Sequence, residues 1–428
     1  MNSDMKRREF LRRAAVSAVG LGLGGSAFRL QAYGAQRGGP AAPELNEKVV
    51  LNINLFGGND GLNTVIPLVQ YGRYRDLRPA LGLDQGRVLA LAGTTDFGFN
   101  PGMTGLRDLY AQNKVAVIHG VGAPQEAYGL FDHEQSQLLF QSGQLNSATQ
   151  SARSGWLGRY VDSTTPGLVS SGINLGGGDL VVTGQAQSPL ALSSSGTIEL
   201  SISEDYDLRA NLYQQMMNAP YPESPVGEFN RLARKNGLDQ AEALGQAMAS
   251  YVPMATYPDG NYFAMTLRTA AALIWANLGV RAVSVGTGGY DTHSNQNEGH
   301  TATELGYHDG LLMTVSDAVR AFQQDIEAHG LGNRVVTLIS SEFGRRPEEN
   351  SDIGTDHGYG SVVLAVGATV HGGMHGVYPG LNESDLMLDG NLGVTTDLRS
   401  VYSTVVARHL GGDPVAVLGG TFPQLGFL

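Results

Sequence analysis

Five short, near-continuous apolar runs recur along this chain, and the loops after them are rich in glycine and polar residues. Val49 to Phe56 leads into Gly57-Gly58-Asn59-Asp60-Gly61, and Lys114 to His119 into Gly120-Val121-Gly122. Arg281 to Val285 leads into Gly286-Thr287-Gly288-Gly289-Tyr290-Asp291, and Arg334 to Ser340 into Ser341-Glu342-Phe343-Gly344-Arg345-Arg346; Ser361 to Val366 is the fifth. Runs of this length and β-branched content read as strands. Being apolar throughout rather than alternating, they suit a sheet buried on both faces, the habit of parallel strands flanked by helices. Leu267, Ala270, Ile274 and Leu278 share one face of a helix that stops at Gly279, and Leu312, Val315, Val319, Phe322 and Ile326 mark another ending near Gly330. Leu398 to Leu410 reads as a last helix. The fold class is therefore α/β, with a mostly parallel central sheet and helices on both faces. Residues 48–428 read as one domain, interrupted at roughly 142–260 by a loop-rich, partly β insertion where Ser, Gly, Thr and Asn dominate at first.

Residues 1–35 stand outside that fold. Lys6, Arg7, Arg8, Arg12 and Arg13 precede an uncharged stretch from Ala14 to Phe28, and Ala32-Tyr33-Gly34-Ala35 offers small residues for cleavage. The stretch is too short and glycine-rich for the roughly 20 apolar residues of a membrane span. Arg7-Arg8-Glu9-Phe10-Leu11-Arg12 resembles the twin-arginine signal, whose cargo crosses the membrane already folded, so the export machinery of that route is an expected partner. Residues 36–47 read as a Pro/Ala/Gly linker. The mature chain carries no later candidate span, and its expected destination is the periplasm, the cell envelope or the exterior.

Composition excludes several chemistries. The 428 residues contain no cysteine, which removes disulfides, thiolate metal sites and cysteine nucleophiles. The net charge is -12, and becomes -16 once the six Lys/Arg and two Asp/Glu of residues 1–35 are removed. Such a balance argues against nucleic acid, which needs clustered Lys and Arg.

In a parallel sheet the site lies beyond the carboxyl ends of the strands. There the chain carries Asp60, Asp291 with His293, Glu342, and Asp356 with His357. Imidazole with carboxylate suits Zn²⁺, Mn²⁺ or Fe, and carboxylate with carbonyl suits Mg²⁺ or Ca²⁺, so these six residues are candidate ligands for divalent metal. Arg345-Arg346 either clamps an anion or pairs with Glu348 or Glu349. His371 and His375 are weaker ligand candidates, while His119, His308, His329 and His409 read as structural or exposed.

Several segments together resemble a known family. They are Gly57-Gly58-Asn59-Asp60-Gly61-Leu62-Asn63, Ser154-Gly155-Trp156-Leu157-Gly158-Arg159, Tyr290-Asp291-Thr292-His293, Ser341-Glu342-Phe343-Gly344-Arg345 and Gly354-Thr355-Asp356-His357-Gly358. In order, they look like an uncharacterised, twin-arginine-exported bacterial family similar to the sulfatase/alkaline phosphatase superfamily. The resemblance implies an alkaline phosphatase-like fold and one or two divalent ions. Asp60 then matches the superfamily's first-strand Asp, Asp291 and His293 its Asp/His loop, and Glu342 its later Asp, with Phe343 in place of a His. Asp356-His357 matches either the last His or the Asp-His itself. Where the family often has Ser-His-Phe before a helix, this chain has Asp132-His133-Glu134, which leaves Asp132 as a nucleophile or a helix cap, with His133 matched. Ser136 is a poorer nucleophile candidate.

The expected function is an exported, metal-dependent hydrolase of a phosphate or sulfate ester. Asp132, His133 and Arg345 are its candidate catalytic residues and a small anionic ester or polysaccharide its substrate. The alternative is a non-catalytic envelope protein that binds a polysaccharide or an exported protein.

Overall fold

Strand β1 (Val49–Leu55) lies at the centre of the sheet because its two faces serve two separate cores. Successive side chains of a strand alternate between faces. Val49, Leu51, Ile53 and Leu55 enter one apolar cluster and Val50 the other, and all five are buried. The computed structural model describes residues 47–127, 131–145, 153–165, 171–177, 179–193, 248–301 and 303–428. The expected export signal, nearly all of the linker and much of the expected insertion lie outside the described residues.

Using labels in chain order, the other elements that frame the site are α1 (Thr104–Ala111), β2 (Val115–Gly122), α2 (His133–Ser142), α3 (Trp156–Thr164), β3 (Gly172–Leu175) and β4 (Leu190–Leu192). They continue with α4 (Tyr262–Trp275), β5 (Ala282–Thr287), α5 (Tyr307–Ala328), β6 (Val335–Ser340), β7 (Ser361–Val366), β8 (Gly373–His375) and α6 (Leu398–Thr404). The sheet order among the described residues is β8-β2-β7-β6-β1-β5-β3-β4, with Thr396–Asp397 also pairing with β2. β1 is parallel to both β5 and β6, and β3 to both β5 and β4. β7 runs antiparallel to β2 and β6, the one reversal in an otherwise parallel sheet of the described residues. An apolar run of six residues carries no sign of its direction, so this reversal follows from connectivity and not from composition.

Helices α1, α4 and α5 cover one face, while α3 and α6 cover the other with Trp156 stacked on Tyr402 at 4.4 Å. The doubly covered, mostly parallel sheet is thus present. The described part of the expected insertion joins it: α3 packs on the second face, and β3 and β4 extend the sheet edge beyond β5.

Candidate metal centre

The site forms where β1, β5 and β6 end side by side. Gly57 makes this closeness possible. Its φ is +121°, and a Cβ there would lie 2.3 Å from the Asp291 nitrogen, so a side-chain-bearing residue would push the β5 loop away. Gly354 does the same for the other loop, since its Cβ would meet the His293 carbonyl carbon at 2.2 Å.

Three imidazoles and one carboxylate converge there. His133 opens α2, Asp291 and His293 follow β5, and His357 sits in a two-residue ladder that pairs Arg345 with His357. Each ring is held by its Nδ1. His357 Nδ1 donates to the Phe131 carbonyl at 2.7 Å, because a carbonyl only accepts. His133 Nδ1 lies 2.9 Å from Glu342 Oε1, and His293 Nδ1 lies 3.2 Å from Asp356 Oδ1. Both carboxyls are held below the usual carboxylate range. At Glu342, burial works against ionisation but hydrogen bonds from His133, its own backbone N–H, Gly57 and Gln137 outweigh it. At Asp356 the Asn350 amide is the largest cause, with His293 also lowering it against partial burial. An ionised carboxylate only accepts, so both rings donate from Nδ1, which turns Nε2 into the site.

The Nε2 atoms face one another and Asp291. His293 Nε2 is 2.9 Å from His357 Nε2 and 3.1 Å from Asp291 Oδ1. His357 Nε2 is 3.3 Å from Asp291 Oδ1, and His133 Nε2 is 3.3 Å from Asp291 Oδ2. His133 Nε2 is buried and has no hydrogen-bond partner among the described residues. Donor atoms of His133, Asp291 and His357 all lie within 4.8 Å of one another. His293 stands beside that mutual group of three, and electron-rich atoms crowded in this way repel unless a cation lies between them. Ligands of a tetrahedral ion with bonds near 2.1 Å sit about 3.4 Å apart, close to the 3.3 Å that separates His133 Nε2 and His357 Nε2 from the Asp291 carboxylate. Burial pushes the His357 imidazole below its usual range, in favour of the neutral form that binds metal. Asp291 is pulled down to about 2: its partial desolvation is outweighed by the hydrogen bond and charge of Arg345, then by His357 and His133.

The remaining sequence candidates occupy different positions. Asp60 is buried as the cap of a four-residue helix, Gly61–Thr64; its Oδ1 accepts from the Leu62 and Asn63 amides, and its Oδ2 accepts at 2.6 Å from both Arg78 and Gln296. Despite full burial, the Arg78 charge and hydrogen bond hold it below the usual range. Its carboxylate is spent on that ion pair, which corrects its placement among the ligands. Glu342 and Asp356 orient histidines with their carboxylates. Asp132 is the N-cap of α2, its Oδ1 accepting from the Gln135 amide at 2.9 Å, so the capping alternative is the one realised. Ser136 is buried on the same helix.

Arg345 is no anion clamp. Its side chain has no exposure, and its guanidinium donates to the carbonyls of Gly57, Gly58, Tyr290 and Thr355 and to Asp291 Oδ1 at 2.6 Å. It pins the site loops together, and neither it nor Arg346 makes the ion pair with Glu348 or Glu349. Phe343 packs its ring 4.9 Å from that of His133 and 4.4 Å from that of His357. His371 and His375 bond the backbone at Gly426 and His371, outside the cluster. Sequence reasoning missed Arg78, Gln296 and Asn350, polar residues in no recognisable motif, and the Phe131 carbonyl, which any residue supplies.

No curated protein sequence matches the chain. Among solved structures it is similar to PsFucS1 sulfatase from Pseudoalteromonas sp., at 11% identity over 86% of this chain and 68% of that one, with a TM-score of 0.38. It is similar to the C-terminal periplasmic domain of EcEptC from Escherichia coli in complex with Zn, at 9% identity over 89% and 83% and a TM-score of 0.37. A protein in the alkaline phosphatase superfamily from Vibrio parahaemolyticus matches at 7% identity over 99% and 80%, with a TM-score of 0.36. The family model described as a protein of unknown function, DUF1501, matches residues 117–418, more than half of the sequence, and the chain belongs to that family.

Proposed function

We propose that the chain is an exported, metal-dependent hydrolase of phosphate or sulfate esters. The observation that carries this reading is the convergence of three histidine Nε2 atoms on the Asp291 carboxylate. A set of three imidazoles and one carboxylate suits Zn²⁺, Mn²⁺ or Fe, whereas Mg²⁺ and Ca²⁺ favour oxygen ligands throughout. A divalent ion held by His133, His293, His357 and Asp291 would supply Lewis acidity and lower the pKa of water. Glu342 and Asp356 keep the ring protons on Nδ1, and Phe343 walls the site beside two of the rings. Arg346, whose charge reaches Asp356 and whose guanidinium has no partner among the described residues, meets the anionic ester. With Asp132 engaged as a cap, water is the attacking group. The basic N-terminal segment favours export of a chain that folds and takes up metal before it leaves the cytoplasm.

A second reading, a non-catalytic envelope protein that binds its ligand, is favoured by one observation: Asp132, which the resemblance sets where the family often has a serine, is engaged as a helix cap. Assays of p-nitrophenyl phosphate, bis(p-nitrophenyl) phosphate and p-nitrophenyl sulfate separate the two. The hydrolase reading expects turnover that chelation removes, Zn²⁺ or Mn²⁺ restores and His357→Ala abolishes. A metal-loaded protein inert towards all three esters would favour the binding role.

A further inference from the structure

Beside the histidine cluster, the second face of the sheet turns polar. On that face of the strand ladder, Asn52 of β1 lies level with Ser284 of β5, and Ser284 level with Asn174 of β3. Nearer the strand ends, Asn54 donates to Asp179 Oδ2 at 2.7 Å, and Ser284 donates to the same oxygen. In a doubly covered sheet such positions ordinarily pack apolar side chains against helices. Here Ser284 and Asp179 line a cleft of about 600 Å³, within the range of roughly 300–1,000 Å³ typical of ligand pockets. Buried Asn174 Oδ1, next in sequence to the lining residue Leu175, has no hydrogen-bond partner among the described residues.

The cleft adjoins the metal centre through shared residues. Its wall includes Gln137 of α2, which donates to the Glu342 carboxylate that orients His133, and Phe56, the neighbour of Gly57. No Lys or Arg is among its described lining residues, while Glu134 and Asp179 are, so an anion is disfavoured. Asp179 makes a poor cation trap, since its oxygens already accept from Asn54, Ser284 and the Val181 amide. Burial pushes it up to about 6, against those hydrogen bonds. The cleft's other side chains mix amides and hydroxyls (Gln137, Gln141, Thr183, Thr287) with Phe56 and the aliphatic Leu138, Leu175, Leu180 and Val285. That uncharged, half-polar lining suits a neutral ligand carrying both hydroxyls and C–H faces.

We propose that this cleft is a subsite for an uncharged polyhydroxyl group, a sugar ring, on the alcohol side of the ester. The assignment deepens the hydrolase reading and rests on it for the identity of the ester, but not for the binding itself. Gly288 and Gly177 supply clean obstructions, because a Cβ at either meets no atom within 4 Å and neither has a left-handed φ. The purified mature chain is titrated by saturation-transfer NMR with cellobiose, maltose, mannobiose and xylobiose, and with spermidine as a cationic probe. At least one disaccharide is expected to bind, with affinity lowered about tenfold or more in Gly288→Trp and in Gly177→Trp. His133→Ala, which disables the metal centre, keeps the saccharide signal, so loss of the hydrolase reading leaves this test intact. Binding of spermidine alone, of no disaccharide, or of one that both tryptophan variants bind unchanged would overturn the proposal.

Discussion

His133 Nδ1 lies 2.9 Å from Glu342 Oε1, and that contact turns Nε2 towards Asp291 Oδ2, 3.3 Å away. A buried glutamate that looks like a ligand in the sequence is thus the hydrogen-bond partner that orients a site histidine. Glu342→Gln preserves shape and removes the charge. It is expected to weaken metal affinity by about 10- to 100-fold, as loss of an orienting partner does, while the protein stays folded. Competition with a chromophoric chelator measures it, and unchanged affinity would detach Glu342 from the centre.

Asp60 makes the opposite prediction. Asp60→Asn breaks a pair with Arg78 in which both side chains are buried, an expected loss of about 3–5 kcal/mol. Variant that remains folded at low temperature keeps its metal content. Denaturant titration and elemental analysis of one preparation check both halves.

The two adjacent arginines should part company. Arg345→Met strands four carbonyls and Asp291 and is expected to cost at least about 3 kcal/mol, seen as a large fall in melting temperature. Arg346→Ala is expected to leave melting nearly unchanged and raise KM for the anionic ester.

Acid should destabilise the protein between about pH 6.5 and 4 through two buried histidines. His119 and His409 are both held down to about 4 by burial, the latter against its hydrogen bond to the Val49 carbonyl. Unfolding returns each to the ordinary 6.5, so the unfolded chain binds more protons between these values. Their contribution is whole above pH 6.5 and is lost as pH falls through 4, by about 3 kcal/mol per histidine. Urea midpoints at about pH 7 and about pH 5 measure the slope, which His409→Gln should reduce.

Much of the sheet was legible in the sequence, because each buried strand must be apolar on both sides and must end in a turn. Val49–Leu55, Ala282–Thr287, Val335–Ser340 and Ser361–Val366 fall within a residue or two of the expected runs. Less legible were β3 and β4, whose four and three residues are too few for a pattern, and the direction of β7. At the site, residue types and strand-end positions singled out Asp291, His293 and His357 as candidates, and the family resemblance singled out His133. They did not sort ligand-type carboxylates from orienting ones. That sorting depends on partners far apart in sequence: Arg78 for Asp60, His133 for Glu342, His293 for Asp356. Arg345 was misread for the same reason, since the carbonyls that occupy it belong to backbone and leave no mark in composition.

The central claim is that His133, His293, His357 and Asp291 hold a transition-metal ion. Elemental analysis of the purified chain, with X-ray absorption at the edge of the metal found, tests it most directly. The account predicts stoichiometric Zn, Mn or Fe with imidazole scattering, lost in both His133→Ala and His357→Ala. A protein without transition metal, or one whose metal survives both substitutions, would contradict it.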